Sequence, residues 1–293
     1  MTRARAELAL VLDTFIWGST FVVVKDALAD VSPLLFLALR FVVATVALFA
    51  LFRGSWSSPR NPRLAVRGGV VCGVFLFGGF VFQTLGLRLT SAPKSAFITG
   101  LSTVMVPLFA ALVYKIRPRV LEVAGVGLAT AGMGLMTLPG ATMAIGTGDL
   151  LTLGCAFTFA CHIVALGHYS SEVSFELLSA TQVGVSAVLA LATFWWVETP
   201  VIRMRPSVWV AVLVTGLLAT ALAFTIQAWA QQYTTSTRTA LIFTLEPLFA
   251  WATSYTLRGE TLSGRGVAGA VLILGGVVLV EMKPPHPQPH PSQ

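Results

Sequence analysis

The chain has 293 residues, of which 56% are hydrophobic and only 11% charged, with a formal net charge of +7. A soluble domain carries roughly a quarter charged residues, so a water-soluble fold is excluded: it has nowhere to place this much apolar surface. The basic excess, which in a soluble protein would suggest nucleic acid, clusters near the ends of apolar runs; membrane lipids rather than nucleic acid are the expected partner.

In chain order, apolar runs broken by charge, Pro or Gly fall at 7–29, 33–52, 66–88, 91–114, 120–138, 149–169, 174–197, 206–230, 238–257 and 262–282. A hydrocarbon core about 30 Å thick needs roughly 20 residues per helix, so an all-α membrane protein of ten transmembrane helices is predicted. The first run, Leu8 to Leu28, is too long for the apolar part of a signal peptide and lacks a small-residue cleavage site, so it reads as a retained helix. The polar connection Arg53 to Arg67 must lie in water. Gly69-x-x-x-Gly73 and Gly127-x-x-x-Ala131 are expected to permit close helix packing within the subunit. Cys72, Cys155 and Cys161 fall inside apolar runs without metal-type spacing and read as small core residues. The tail 283–293, rich in Pro, His and Gln, cannot bury apolar surface and is predicted disordered, with His286 and His290 as tail composition rather than metal ligands.

The chain also repeats itself. Placing Glu7-Leu8 over Asp149-Leu150 brings later positions into register at an offset of about 142 to 144 residues. Trp17 falls on Phe159, and Arg40 on Gln182. Phe80-x-x-Gln83 matches Phe224-x-x-Gln227, Thr90-Ser91-Ala92 matches Thr234-Thr235-Ser236, and Lys94 matches Arg238. After a gap of four residues, about one helical turn, Val106-Pro107-Leu108-Phe109-Ala110 falls on Glu246-Pro247-Leu248-Phe249-Ala250. The expected units are 1–140 and 147–282. Five helices per half is an odd number, so the second half enters the membrane from the opposite side and the repeat is inverted. Alternating access needs two halves that exchange conformations about a midplane site, whereas enzyme chemistry does not require this arrangement.

With the N-terminus inside, the first half places Arg3, Arg5, Arg53, Arg60, Arg63, Arg67, Lys115, Arg117 and Arg119 in the cytoplasm against Lys25, Arg88 and Lys94 outside. The second half leans the other way, with Arg203, Arg205, Arg258 and Arg265 outside and Arg238 and Lys283 inside. The first half is taken to dominate, which puts both termini in the cytoplasm.

The run Ile16-Trp17-Gly18-Ser19-Thr20-Phe21, the segment Gln83-Thr84-Leu85-Gly86-Leu87 leading to Thr90-Ser91-Ala92, the Pro-Leu-Phe-Ala steps of both halves and Leu257-Arg258-Gly259-Glu260 resemble the EamA family of the drug/metabolite transporter superfamily. The resemblance covers about residues 7 to 282. It implies a ten-helix inner-membrane carrier of small metabolites, often exporting amino acids or related compounds, with a central cavity lined by spans 1, 3, 4, 6, 8 and 9. One departure stands out: the first-half counterpart of Gly259-Glu260 is Lys115-Ile116.

Several residues are candidates for the cavity. Asp13, Trp17 and Thr20 lie on one face of the first helix, and their repeat mates Cys155, Phe159 and His162 form the same stripe on the sixth. An ionisable group inside a membrane costs at least about 2.5 kcal/mol, so Asp13 faces either a wet cavity or a helix partner that fixes packing. His162 is either functional or simply bonded to a neighbour. Gln83 and Gln227 offer donors and an acceptor to a substrate, or bind helices together. Thr99 joins the cavity set. Arg40 cannot lose its proton and must pair or snorkel. Glu246 precedes Pro247, which removes an intrahelical bond and frees the carbonyl near Phe243, so a kink beside an acid is expected. Asp13, His162, Glu246 and Arg40 are the candidates for coupling or gating. Lys94 and Arg238 would mark opposite membrane faces, either as cationic vestibules that attract substrate or as snorkelling ends.

No phosphate-cradling Gly loop with Lys, no His-Glu-x-x-His and no Ser-His-Asp pattern is present, so no cofactor, metal or catalytic role is expected. The leading reading is a secondary transporter for a small polar or amphipathic metabolite, with protons as a coupling partner. The alternatives are an intramembrane enzyme or lipid flippase, and a membrane subunit that transports nothing. Monomer and homodimer both remain open.

Overall fold

The computed structural model describes residues 2–55, 60–90, 92–115, 117–138, 145–203, 205–259 and 261–281. The tail 283–293, with Lys283, His286 and His290, lies outside the described residues, as do Ile116 and Glu260. Among the described residues the chain is all-helical; its only β-type pairing is an isolated bridge between Val31 and Ile202. The helices are α1 (Arg3–Ala27), α2 (Pro33–Phe52), α3 (Pro62–Leu87), α4 (Ala92–Gly100), α5 (Ser102–Tyr114), α6 (Val120–Thr137), α7 (Thr147–Ser170), α8 (Phe175–Val197), α9 (Pro206–Gly216), α10 (Ala223–Ala230), α11 (Ser236–Phe243), α12 (Glu246–Arg258) and α13 (Gly264–Glu281). A π-helical turn, Leu217–Leu222, joins α9 to α10.

Seven rods among the described residues are long and apolar enough to cross a membrane: α2, α3, Lys94–Tyr114, α6, α7, α8 and Pro206–Ala230. Gly264–Val280 is a shorter apolar helix. Large apolar side chains such as Leu112, Val120 and Trp196 point outward, the reverse of a soluble surface.

Three of the expected runs are not plain helices. The fourth is divided at Leu101 into α4 and α5, with Pro107 inside α5. The ninth is divided at Thr244–Leu245 into α11 and α12, directly before Glu246-Pro247, where the missing proline N–H was expected to act. The eighth contains the π-helical turn, for which the sequence carries no clear signal. α3 starts at Pro62, earlier than the apolar run, because proline suits the first turn of a helix, where no intrahelical donor is needed.

Backbone proximity shapes the packing. α6 and α13 lie antiparallel and touch through glycines: a Cβ on Gly132 would stand 2.5 Å from the Gly269 carbonyl oxygen, and a Cβ on Gly276 2.5 Å from that of Gly125. Gly69 and Gly73 of α3 fit against Thr181 and Gln182 of α8, as expected; a Cβ on Gly73 would lie 2.6 Å from the Gln182 carbonyl oxygen. The expectation for Gly127-x-x-x-Ala131 fails. Gly127 has nothing within 4 Å of a built Cβ, and Ala131 is exposed. The contact stripe is Gly125, Ala129 and Gly132, one face around the helix, and neither motif residue lies on it.

α5 ends at Lys115 with φ 54° and α12 at Gly259 with φ 68°. The departure from the family pattern therefore leaves the backbone turn unchanged: lysine adopts a left-handed cap that glycine takes without steric cost.

Candidate functional site: an aromatic centre beside a buried acid

The centre of the bundle is aromatic. Trp17 of α1 packs against Phe224 of α10 at 5.5 Å between ring centroids and against Phe243 of α11 at 4.9 Å. Phe80 of α3 meets Phe41 of α2 and Phe159 of α7, each at 5.5 Å, and Phe224 at 6.3 Å. These contacts, edge-on except for the tilted Trp17–Phe224 pair, join helices from both ends of the chain into one cluster.

The π-helical turn supplies polar anchors to this cluster. The wider turn leaves the Ala219 carbonyl able to accept from other helices. It receives the Trp17 indole Nε1–H and an Arg40 Nη2–H, each at 2.9 Å. Arg40 also donates Nε–H to the Thr220 hydroxyl at 2.5 Å, and its guanidinium lies 4.7 Å from the Phe80 ring centroid. Arg40 therefore does not snorkel. It is buried against a hydroxyl, a carbonyl and an aromatic face, and no described residue forms a salt bridge to it.

One turn from Trp17, Asp13 is fully buried, and neither carboxylate oxygen has a hydrogen-bond partner among the described residues. A carboxylate that fixes packing would hold a helix partner; Asp13 has none among the described residues. Glu246, at the first residue of α12, is close enough for its charge to act on both Asp13 and Cys155. Thr99 Oγ1 and Cys155 Sγ lie 3.7 Å apart, so the broken fourth rod reaches the same neighbourhood. α1 gains this close approach to α12 at Gly18, where a Cβ would stand 2.9 Å from the Glu246 carbonyl oxygen.

The other expected residues divide. His162 is buried and its Nε2 lies 2.9 Å from Gln182 Oε1; its ring meets Phe224 at 5.7 Å. Thr20 uses its hydroxyl on the Trp17 carbonyl at 3.0 Å within α1. Gln83 and Gln227 match in sequence but not in setting. Gln83 is only half-buried, whereas Gln227 is buried and donates Nε2–H to Gln231 Oε1 at 3.3 Å. Gln231 in turn donates to the Ile163 carbonyl at 3.0 Å, so this pair ties α10 to α7. Gln182, Thr220, Phe224 and Phe243 were not among the candidate site residues, although Phe224 stands in the matched Phe-x-x-Gln motif. Gln182 was within reach of sequence reasoning, as the repeat mate of Arg40.

Lys94 and Arg238 are not open vestibules. Lys94 Nζ meets Asp149 Oδ2 at 2.5 Å, and Arg238 Nη1 meets Glu7 Oε1 at 3.2 Å. No group of three or more His, Cys, Asp or Glu suited to a metal ion occurs among the described residues.

The family model described as the EamA-like transporter family matches residues 4–138 and again 146–282. The chain belongs to the EamA-like transporter family. It is a multi-pass membrane transporter, not an enzyme. An "Uncharacterized transporter" of Archaeoglobus fulgidus is 34% identical over 281 residues, covering 96% of this chain and 87% of that protein. A Salmonella typhimurium protein named "Probable amino-acid metabolite efflux pump" is 28% identical, covering 95% of each. An "S-adenosylmethionine/S-adenosylhomocysteine transporter" of Chlamydia muridarum is 38% identical, but over only 31% of this chain. A solved crystal structure with 20% identity superposes with a TM-score of 0.81 over 96% of this chain and 98% of the other, which establishes the shared fold.

Proposed function

We propose that this EamA-like transporter is a secondary carrier of ten spans, built as two inverted five-helix repeats at 1–140 and 147–282, with both termini in the cytoplasm. It moves a small polar or amphipathic metabolite, an amino acid or related compound, outward across the inner membrane by alternating access coupled to protons. The observation that carries this reading is the unpartnered Asp13 carboxylate, buried beside Glu246 where a membrane rod is broken. Broken helices at corresponding positions of two halves are where carriers of this build place their sites. An uncompensated carboxylate in a dry interior, as at Asp13, costs several kcal/mol, a cost that a proton or the ammonium group of a substrate removes.

In this reading Asp13 and Glu246 receive the ammonium group or the proton, and Trp17, Phe224 and Phe243 enclose it through their ring faces. Arg40, across the indole and without an acidic partner among the described residues, offers its guanidinium to a substrate carboxylate. His162 and Gln182 line the opposite wall. The name of the Salmonella relative supports the same substrate class.

The test is flux into proteoliposomes for a panel of amino acids, amines and carboxylates, with and without a pH gradient. Saturable uptake of a zwitterion that a pH gradient accelerates is the expected result. A protein that moves none of the panel saturably would overturn the proposal.

A further inference from the structure

Two three-residue clusters stand at opposite ends of the bundle and are built from the same parts. At one end, Glu7 of α1 accepts from the Thr234 hydroxyl at 3.0 Å and from Arg238 of α11 at 3.2 Å. At the other, Asp149 of α7 accepts from the Thr90 hydroxyl at 2.6 Å and from Lys94 of α4 at 2.5 Å. The repeat aligns all three members, Glu7 with Asp149, Thr234 with Thr90 and Arg238 with Lys94. In each cluster the acid belongs to the first helix of one half, while the hydroxyl and the base sit where the third rod of the other half turns into the fourth. Each cluster thus ties one half to the other, and both are formed in this structure.

We propose that these clusters are two latches of one carrier, each closing one membrane face and opening in alternation. The inference rests on the alternating-access reading and adds the groups that set which face opens. Inverting the repeat exchanges one latch for the other, so breaking one weakens closure at its own face only. A further asymmetry sets the resting state. Arg238 is 2% exposed and also donates to the Val280 carbonyl of α13 at 3.0 Å, and Arg3 braces Glu7 at 2.6 Å. Lys94 is 23% exposed and carries its charge on a flexible stem, and Asp149 also accepts from the Gly146 N–H at 2.8 Å. The Lys94 latch is the more open to water, and its face opens more readily.

Cys155, buried beside Thr99 and within reach of Glu246, serves as a native reporter once Cys72 and Cys161 are replaced by alanine. Right-side-out and inside-out vesicles are treated with a membrane-impermeant maleimide, and the parent is tested for saturable flux. The parent should label faster from the Lys94 face. Asp149→Asn should raise labelling from the Lys94 face about fivefold and Glu7→Gln that from the Arg238 face by a similar factor, the low end of typical coupling between sites. The double exchange Lys94→Asp with Asp149→Lys should return labelling toward the parent rate, which guards against a fold defect in the single variants. If a parent that transports shows no face-selective change in either variant, or equal changes at both faces, the latches are overturned and the carrier reading stands. A parent without saturable flux overturns the carrier reading, and the latches with it.

Discussion

The seam between α6 and α13 and the aligned stripes of α1 and α7 treat the two halves of the chain in opposite ways. At the seam the two partners match: Gly125 and Gly132 align with Gly269 and Gly276, and the contacts cross, Gly125 meeting Gly276 and Gly132 meeting Gly269. On the stripes, Asp13, Trp17 and Thr20 align with Cys155, Phe159 and His162, and of these pairs only the aromatic Trp17 and Phe159 are chemically alike. The seam only has to pack, which small residues at matched positions achieve for both partners. In the proposed carrier the stripes meet a ligand with distinct ends, which a symmetric wall would not tell apart. On that proposal the matched pattern is kept where helices only pack and is lost where the ligand binds.

The largest effect expected from breaking this contrast is at Asp13. Asp13→Asn should reduce pH-gradient-driven accumulation in proteoliposomes at least about tenfold, corresponding to about 1.4 kcal/mol or more of lost coupling, while leaving exchange. Cys155→Ser, the same position in the other half, should change it less than about twofold. Equal gradient responses for Asp13→Asn and wild type would remove Asp13 from the coupling role.

At the seam the expectation is stability rather than transport. Gly132→Leu pushes a side chain onto the Gly269 carbonyl and should destabilise by about 1–3 kcal/mol or more, whereas Gly127→Leu, on the open face, should stay within about 0.5 kcal/mol. Thermal unfolding of the purified protein in detergent measures both, and similar losses would contradict the assignment of the contact face.

Arg40 and its mate Gln182 sharpen the comparison further. Arg40→Lys keeps the charge but cannot serve Thr220, Ala219 and the Phe80 ring together, so transport should fall about tenfold. Gln182→Ala removes one bond to His162 and should cost only about 0.6 kcal/mol, the usual worth of a polar contact between membrane helices. Initial uptake rates separate the two. The smallest effect is at the helix ends: Lys115→Gly should stabilise by about 1 kcal/mol by removing the left-handed strain that Gly259 already avoids. An unchanged unfolding midpoint would show that the lysine side chain compensates.

Much of this architecture was legible before any coordinates. The apolar runs place the long helices because hydropathy is local and a bilayer demands about 20 apolar residues wherever a helix crosses it. Glu246-Pro247 located the break between α11 and α12 because proline removes a donor at a known distance along the chain. The alignment of Glu7 with Asp149 and of Lys94 with Arg238 contained both latches, although it did not say that the acids and bases would meet.

What remained for tertiary structure was the choice of partner. Glu7 and Asp13 lie six positions apart on α1; one is braced by Arg238, 231 residues away in the chain, and the other has no described hydrogen-bond partner. Locally, Glu7 has Arg3 one turn before it, but nothing in α1 foretells its contact with Arg238. The same holds for Gly125 against Gly127, and for Ala219, whose carbonyl matters only because a π-helical turn presents it to Trp17 and Arg40. Composition and periodicity report what a segment requires of its solvent, and so determined a multi-pass helical membrane protein. Which polar group is satisfied and which is left for a ligand depends on helices brought together from distant parts of the chain, and only their packing decided it.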